Sequence, residues 1–258
     1  MTENPTGDIV GIHPVYEALA SGRRRIERIY LARGTFPDKV RRILKLARDQ
    51  GIPVRKENKD ALDRLAGGVA HQGVVAIAGV AAYTSLDEVL GIPDPLLVVL
   101  DGVQDPHNLG AVIRTSEAAG ATGLVVAERR TSPLTAAVSK ASAGAVEHLP
   151  IARVGNLTAT LERMKSDGIW SVGVDPGAKA NWTEFDYRVP VAIVLGGEHG
   201  GIRRLVRETC DALVGLPMMG RIQSLNVSVA AGIVLYEAVR QRGRQTSVAD
   251  DVSKSAEI

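Results

Sequence analysis

Three stretches of this 258-residue chain concentrate polar side chains where they are able to do chemistry. Residues 101–120 follow a continuous apolar run and carry Asn108 and Arg114 behind Pro106 and beside Gly110. Asn108 is of a type that caps helices. Arg114 offers a permanently charged planar fork suited to a phosphate or carboxylate. Residues 194–201 set Glu198 and His199 among four glycines directly after an apolar strand, and glycine lets a backbone approach a ligand closely. Residues 216–232 pass Gly220 and Arg221 and reach Ser224, Leu225 and Asn226 at the mouth of an apolar helix. Ser224 suits the N-cap, whereas an amide at 226 inside an apolar helix needs partners. Taken singly, each stretch also fits a capped helix, a tight turn or a solvated charge. The polar pair at 224 and 226 tips the third towards a site.

Other chemistries lack their residues. No GxGxxG follows a strand, so neither a dinucleotide fold nor the usual glycine loop of Rossmann-type methyltransferases is signalled. There is no P-loop and no GxSxG nucleophile elbow. His13, His71, His107, His148 and His199 do not follow a metal-ligand spacing, and no metal is expected. Cys210 is the only cysteine, which excludes an internal disulfide and a thiolate cage. The N-terminus MTENPTGDIV is not a secretory signal. No run of eighteen apolar residues suggests a membrane span. A cytoplasmic protein is expected.

The elements that must position these residues fall into two α/β blocks. In the first, 13–22 reads as a short helix, 26–32 as a strand, and 38–51 as an amphipathic helix with Val40, Ile43, Leu44 and Ala47 on one face. A short strand (53–57), a helix (60–68) and a strand (73–80) complete it. Residues 81–95 are polar, hold a short helix at 85–90 and end in two prolines, as a linker does. The second block alternates strand and helix from Leu96 to a long final helix at 224–243. That alternation predicts a parallel sheet covered by helices on both faces, with ligands outside the carboxyl ends of its strands. The expected division is an N-terminal domain (1–80), a linker (81–95), a C-terminal domain (96–246) and a disordered tail (247–258).

The net charge of +2 says little, but its distribution says more. Arg23, Arg24 and Arg25 are contiguous, Arg41, Arg42 and Lys45 share a helical turn, and Arg203, Arg204 and Arg207 form a third group. Such clusters either contact phosphates or are solvated helix faces. With aromatics at 3%, a reader that stacks bases on surface rings is not expected.

Together the three stretches resemble the three motifs of the SpoU family of RNA ribose methyltransferases. DPHNLGAVIRTSEAAG resembles the first, LGGEHGG the second, and LPMMGRIQSLNVSVAAGIVLYEA the third, in order and covering essentially all of 96–243. GIHPVYEAL and HQGVVA resemble the opening and closing phrases of the substrate-binding extension in the branch acting on guanosine of bacterial 23S rRNA. His199 departs from the glycine that many relatives have after the glutamate. The resemblance implies a SPOUT-type α/β sheet with a deep trefoil knot, preceded by a small α/β RNA-binding domain. It implies S-adenosylmethionine held in the knot by positions matching Leu195, Gly196, Gly197, Leu216, Met218, Ile222 and Leu225. It also implies a homodimer with its active site across the interface.

The same resemblance assigns the catalytic role to Arg114 with Asn108, and makes Glu198, Ser224 and Asn226 the other polar site residues. A ribose 2′-oxygen attacks the sulfonium methyl, so the protein must align two substrates and assist loss of a proton. Arginine is a poor base because its pKa exceeds about 12, so Arg114 is expected to hold the target phosphate. Arg23, Arg24, Arg25, Arg41, Arg42 and Lys45 are the expected RNA contacts. The partner is 23S rRNA or a ribosomal precursor. Alternatives are a tRNA guanosine, an rRNA adenosine, a non-catalytic RNA-binding assembly factor, and a nicotinamide dehydrogenase, which lacks its glycine fingerprint here. Gly232, Val234, Leu235 and Ala238 supply either a dimer face or core.

Overall fold

The computed structural model describes residues 7–34, 37–198 and 200–243. The first seven elements are β1 (Ile9–Val10), α1 (Ile12–Ser21), β2 (Ile26–Ala32), α2 (Asp38–Asp49), β3 (Val54–Glu57), α3 (Lys59–Ala66) and β4 (Val74–Ala78). They build a four-stranded sheet in the order β1-β4-β2-β3, with β3 parallel to β2 and the other pairs antiparallel. The helical period of α2 works as the sequence suggests. Val40, Ile43 and Ala47 are buried against the sheet, while Arg41, Arg42 and Lys45 face solvent. Asn58 caps α3 by accepting from the Ala61 N–H at 2.9 Å.

The remaining elements are α4 (Leu86–Leu90), β5 (Leu96–Asp101), α5 (Pro106–Ala118), β6 (Gly123–Ala127), α6 (Ala136–Ala141), a 3₁₀ turn (Ala145–Glu147), β7 (Ile151–Val154), α7 (Leu157–Ser166), β8 (Trp170–Val174), β9 (Ala180–Asn181), β10 (Val191–Gly196), α8 (Arg204–Thr209), β11 (Ala212–Gly215) and α9 (Val227–Gln241). The sheet is seven-stranded and parallel throughout, in the order β7-β6-β5-β10-β8-β11-β9. The apolar run of β5 is explained by burial on both faces. Leu96, Val98 and Leu100 pack with α5 and α9, and Leu97 and Val99 pack with α7 and α8. Because β5, β10, β8 and β11 are neighbours, their carboxyl ends bring residues from 101, 196, 174 and 215 onward to one edge.

Two expectations are corrected, both at helix starts. Asp105, not Asn108, caps α5 by accepting from the His107 N–H at 2.7 Å, and Pro106 takes the first helical position. Asn108 is thereby freed for other contacts. Asn226, not Ser224, caps α9, which starts three residues later than the pattern suggested. Residues 81–95 pack onto the second sheet. Thr84 bridges to Ala152, Ser85 and Glu88 form a capping box, and Val89 is fully buried. The short edge strand β9 carried no sequence signal, since two residues leave no period to read. The tail expected to be disordered lies outside the described residues.

Candidate active site

A cavity of about 560 Å³ opens at the carboxyl ends of β8, β10 and β11. Leu195, Gly196 and Gly197 line it from the end of β10, and Leu216, Met218, Ser224, Leu225 and Asn226 from the segment between β11 and α9. Glycine at 196 and 197 is a steric requirement. A Cβ on Gly196 would lie 1.9 Å from the Gly201 carbonyl carbon, and one on Gly197 would lie 2.0 Å from the Gly102 carbonyl oxygen. Neither neighbour is a side chain that can swing away. The Gly197 N–H donates to the Asp101 carbonyl at 2.9 Å, tying the second loop to the first. The buried Asp101 carboxylate accepts from the Arg203 backbone N–H at 2.8 Å and from Arg203 Nε at 2.6 Å, which fixes the far end of the glycine loop.

Above this backbone framework, one hydrogen-bond chain spans all three loops. Asn108 Nδ2 donates to Glu198 Oε1 at 2.8 Å, and Asn226 Nδ2 donates to Asn108 Oδ1 at 2.9 Å. Asn226 Oδ1 accepts from the Ser228 N–H at 2.8 Å and from Ser228 Oγ at 2.6 Å. Both ends dictate the direction. A carboxylate only accepts and a backbone N–H only donates, so both amides have one orientation that satisfies every partner. Asn108, Glu198 and Asn226 therefore act as a unit, and Ser224 lines the cavity beside them. The next residue, His199, lies outside the described residues.

The remaining expected residues are elsewhere. Ile222 is exposed and lines a neighbouring cavity with Pro176, Met218 and Gly220, not the one described above. Arg114 is exposed on α5. Six helical residues carry it roughly two-thirds of a turn away from Asn108, into a separate cavity with Glu17, Glu117 and His148. It has no hydrogen bond or ion pair among the described residues. Arg24 is corrected as an RNA contact. Its side chain is 6% exposed and pairs with Glu147, 3% exposed, at 3.0 Å, and Arg24 Nη1 donates to the Gly7 carbonyl. Burial lowers the pKa of Arg24 and raises that of Glu147, each partly offset by the other's charge. Arg23 and Arg25 are exposed. Val234, Leu235 and Ala238 are core; the apolar residues that α9 exposes are Val229, Ile233 and Tyr236.

Asp175 was missed. It follows β8, lines the cavity, and accepts from Arg207 Nε at 2.9 Å and from the Gly177 N–H at 2.8 Å. The available signal was an apolar strand ending in Asp-Pro-Gly beside strands already suspected of carrying ligand loops. Cys210 is no nucleophile: burial, then the charges of Asp211 and Asp101, push its thiol up to about 12. Among the described residues no group of His, Cys, Asp and Glu is placed to hold a metal, and no helix is long and apolar enough to cross a membrane.

A parallel sheet with a glycine-walled cavity and an amide–carboxylate chain across three strand-end loops places the molecule among α/β enzymes that bind at the edge of an open sheet. Residues 95–236 match the SpoU rRNA Methylase family, and residues 9–84 match the RNA 2′-O ribose methyltransferase substrate-binding domain. The chain belongs to the SpoU rRNA methylase family. It is 42% identical over 238 residues to the 23S rRNA (guanosine-2′-O-)-methyltransferase RlmB of Photobacterium profundum, covering 91% of this chain and 97% of that one. The crystal structure of the SpoU methyltransferase AviRb from Streptomyces viridochromogenes with AdoMet aligns with a TM-score of 0.79 at 28% identity, over 94% of this chain and 92% of that one. The A. aeolicus TrmH/SpoU tRNA modifying enzyme aligns with a TM-score of 0.54 at 32% identity, over 66% of this chain and 90% of its own.

Proposed function

We propose that the protein is a cytoplasmic homodimer that transfers a methyl group from S-adenosylmethionine to the ribose 2′-hydroxyl of a guanosine in 23S rRNA. The observation that carries this reading is the chain Asn226–Asn108–Glu198, which joins all three loops over the glycine-walled cavity. The cavity suits the cofactor. Its walls combine apolar Leu195, Leu216, Leu225 and Ala230 with the backbone of Gly196 and Gly197, as an adenosine with polar edges and an apolar face requires. The sulfonium supplies an already activated methyl group.

The residues of this chain then orient and neutralise. Asn108, Glu198 and Asn226 hold the loops in register, and Ser224 presents a hydroxyl to the cavity. Arg114 holds the target phosphate and stabilises negative charge developing on the 2′-oxygen as the hydroxyl proton is released to solvent and the neutral thioether departs. Since Arg114 and the cofactor cavity lie apart in one chain, Arg114 of the partner subunit completes each site. The exposed Val229, Ile233 and Tyr236 of α9, a helix packed along α5, offer the apolar face for that pairing, and the same assembly carries the knotted chain end. Arg23, Arg25, Arg41, Arg42 and Lys45 grip the RNA. The ribosomal target is favoured over tRNA because about a third of this chain has no counterpart in the tRNA enzyme, an amount matching the N-terminal unit.

Labelled S-adenosylmethionine and total RNA from cells lacking the protein test the reading. The expected product is 2′-O-methylguanosine in 23S rRNA, lost in Arg114→Ala. Mixing Arg114→Ala with Asn226→Ala subunits should restore activity, since one of the two sites in a mixed dimer is intact. Label in tRNA or on adenosine would overturn the substrate, and no rescue on mixing would overturn the shared site.

A further inference from the structure

We infer that the cavity at the junction of the two units is the subsite for the target base, and that Glu17 of the N-terminal unit reads a guanine in it. This rests on the guanosine reading above and assigns the residue that recognises the base.

The cavity, about 430 Å³, lies between α1, α5 and the 3₁₀ turn, and Glu17, Arg114, Glu117, Ser142, Ala143 and His148 contribute to its lining. Its geometry is built in rather than left to loose side chains. Gly144 has φ of 93°, and a Cβ there would lie 2.7 Å from both Cβ and Cγ of Glu17 and 3.2 Å from Pro14 Cα. The missing side chain lets α1 seat directly on the turn, with the stem of Glu17 against backbone. Ala143, just before it, has φ of 53°, a left-handed conformation that is unfavourable for a residue with a Cβ. Such strain persists where surrounding structure enforces it, and it concentrates at ligand sites. His148 Nε2 lies 2.8 Å from Glu17 Oε2, with the two side chains 37% and 31% exposed. Glu17 Oε1 has no partner among the described residues, and neither does Arg114.

This arrangement selects its ligand by charge and by donor pattern. A carboxylate is acceptor-only, so Glu17 and Glu117 welcome N–H groups, and Arg114 is the cavity's cationic counterpart. Guanine presents two adjacent donors, N1–H and the N2 amino group, along one edge, which a carboxylate oxygen pair can accept together. Adenine turns a lone pair at N1 towards the same oxygens, and uracil and cytosine offer a single donor group each. Unstacked bases in RNA loops are read on this edge. Arg114, in the same cavity, is placed for the phosphate of the nucleotide whose base Glu17 holds. The N-terminal unit thus supplies specificity as well as grip.

A protein-by-substrate cycle tests this, using the full chain and an rRNA fragment carrying the mapped guanosine, or inosine or adenosine in its place. Inosine lacks only the N2 amino group. Wild type should lose about ten- to a hundredfold in kcat/KM from guanosine to inosine. In Glu17→Gln that penalty should shrink to within about threefold, so that the two changes are strongly non-additive. His148→Asn, which disturbs the same seam but keeps the carboxylate, should retain the guanosine preference. Cofactor affinity by calorimetry should be unchanged in both variants, and 6-thioguanosine at the target in wild type should crosslink to residues 12–21 or 142–148. Equal inosine penalties in wild type and Glu17→Gln, or crosslinks confined elsewhere, would overturn the subsite while leaving guanosine methylation standing. Failure of wild type to methylate guanosine at all would overturn both readings.

Discussion

The two cavities are made in different ways. The strand-end cavity, proposed above for the cofactor, is a product of backbone: strand ends side by side, Gly196 and Gly197 pressed against neighbouring carbonyls, and two asparagines whose directions are dictated from both ends. The cavity at the seam forms where two separate units meet, held together by Arg24–Glu147, Glu17–His148 and Lys140–Gln72. The first is set by the strand ends of one sheet. The second exists only while two units stay docked. Donor binding and acceptor recognition should therefore fail separately.

The largest expected effect is at the seam. Arg24→Met strands Glu147 in a buried place and should cost about 3–5 kcal/mol, whereas Arg24→Met with Glu147→Leu should recover most of it; urea unfolding compares the two. Comparable losses for the single and double variants would mean that the pair does not act as a unit. Next comes Gly197→Ala. Crowding of about 1–3 kcal/mol should weaken S-adenosylmethionine binding about 5- to 150-fold by calorimetry, with RNA binding retained. If RNA binding fell equally, the two cavities would not be independent. Gly144→Ala should do the converse, lowering kcat/KM for RNA about tenfold while leaving donor affinity intact, since its Cβ meets Glu17 and Pro14 and nothing in the cofactor cavity.

The smallest effect is in acid. Arg240's hydrogen bonds hold the Glu237 carboxyl at about 2, below its unfolded value near about 4.3. Its stabilising contribution is present above that unfolded value and is lost as pH falls towards 2. Glu147 is shifted upward, chiefly by burial, so its contribution is present below the unfolded value and is lost as pH rises through the folded one. Melting temperatures from pH 2.5 upward should show the two slopes. Glu237→Gln should flatten the fall on the acid side and Glu147→Gln the fall on the other, and identical profiles for both variants would contradict the opposed shifts.

How much of this was legible in sequence follows the same division. The continuous run Leu96–Asp101 announced a strand buried on both faces, and the loops after it, after β10 and after β11 are the three that the Asn108–Glu198–Asn226 chain joins, because each feature is local in the chain. That Ile222 lines a neighbouring cavity could not be read because its loop's path is not periodic, and Asn108 was mistaken for a cap because Asp105 and Pro106, a better cap and first residue, stood three and two positions earlier. The seam was invisible. Arg24 and Glu147 are separated by more than 120 residues, and a run of three arginines gives no sign that the middle one turns inward. Arg114 was singled out by motif, yet its separation from the Asn108 chain followed only from where α5 faces.

The end of α9 has a temporal consequence. Arg242 donates to the carbonyls of Asp94, Pro95, Tyr187 and Val189, the first across 148 positions of chain, and Asn226, Val227 and Ala230 wall the cofactor cavity. The segment through α9 thus closes over the start of β5 and over the strand-end cavity together. Contacts of such range form late and slowly, and synthesis proceeds from the N-terminus at about 5–20 residues per second. The N-terminal unit, whose sheet closes at Ala78, is free to fold many seconds earlier, so a nascent chain acquires its substrate-binding-like unit well before the methylase unit.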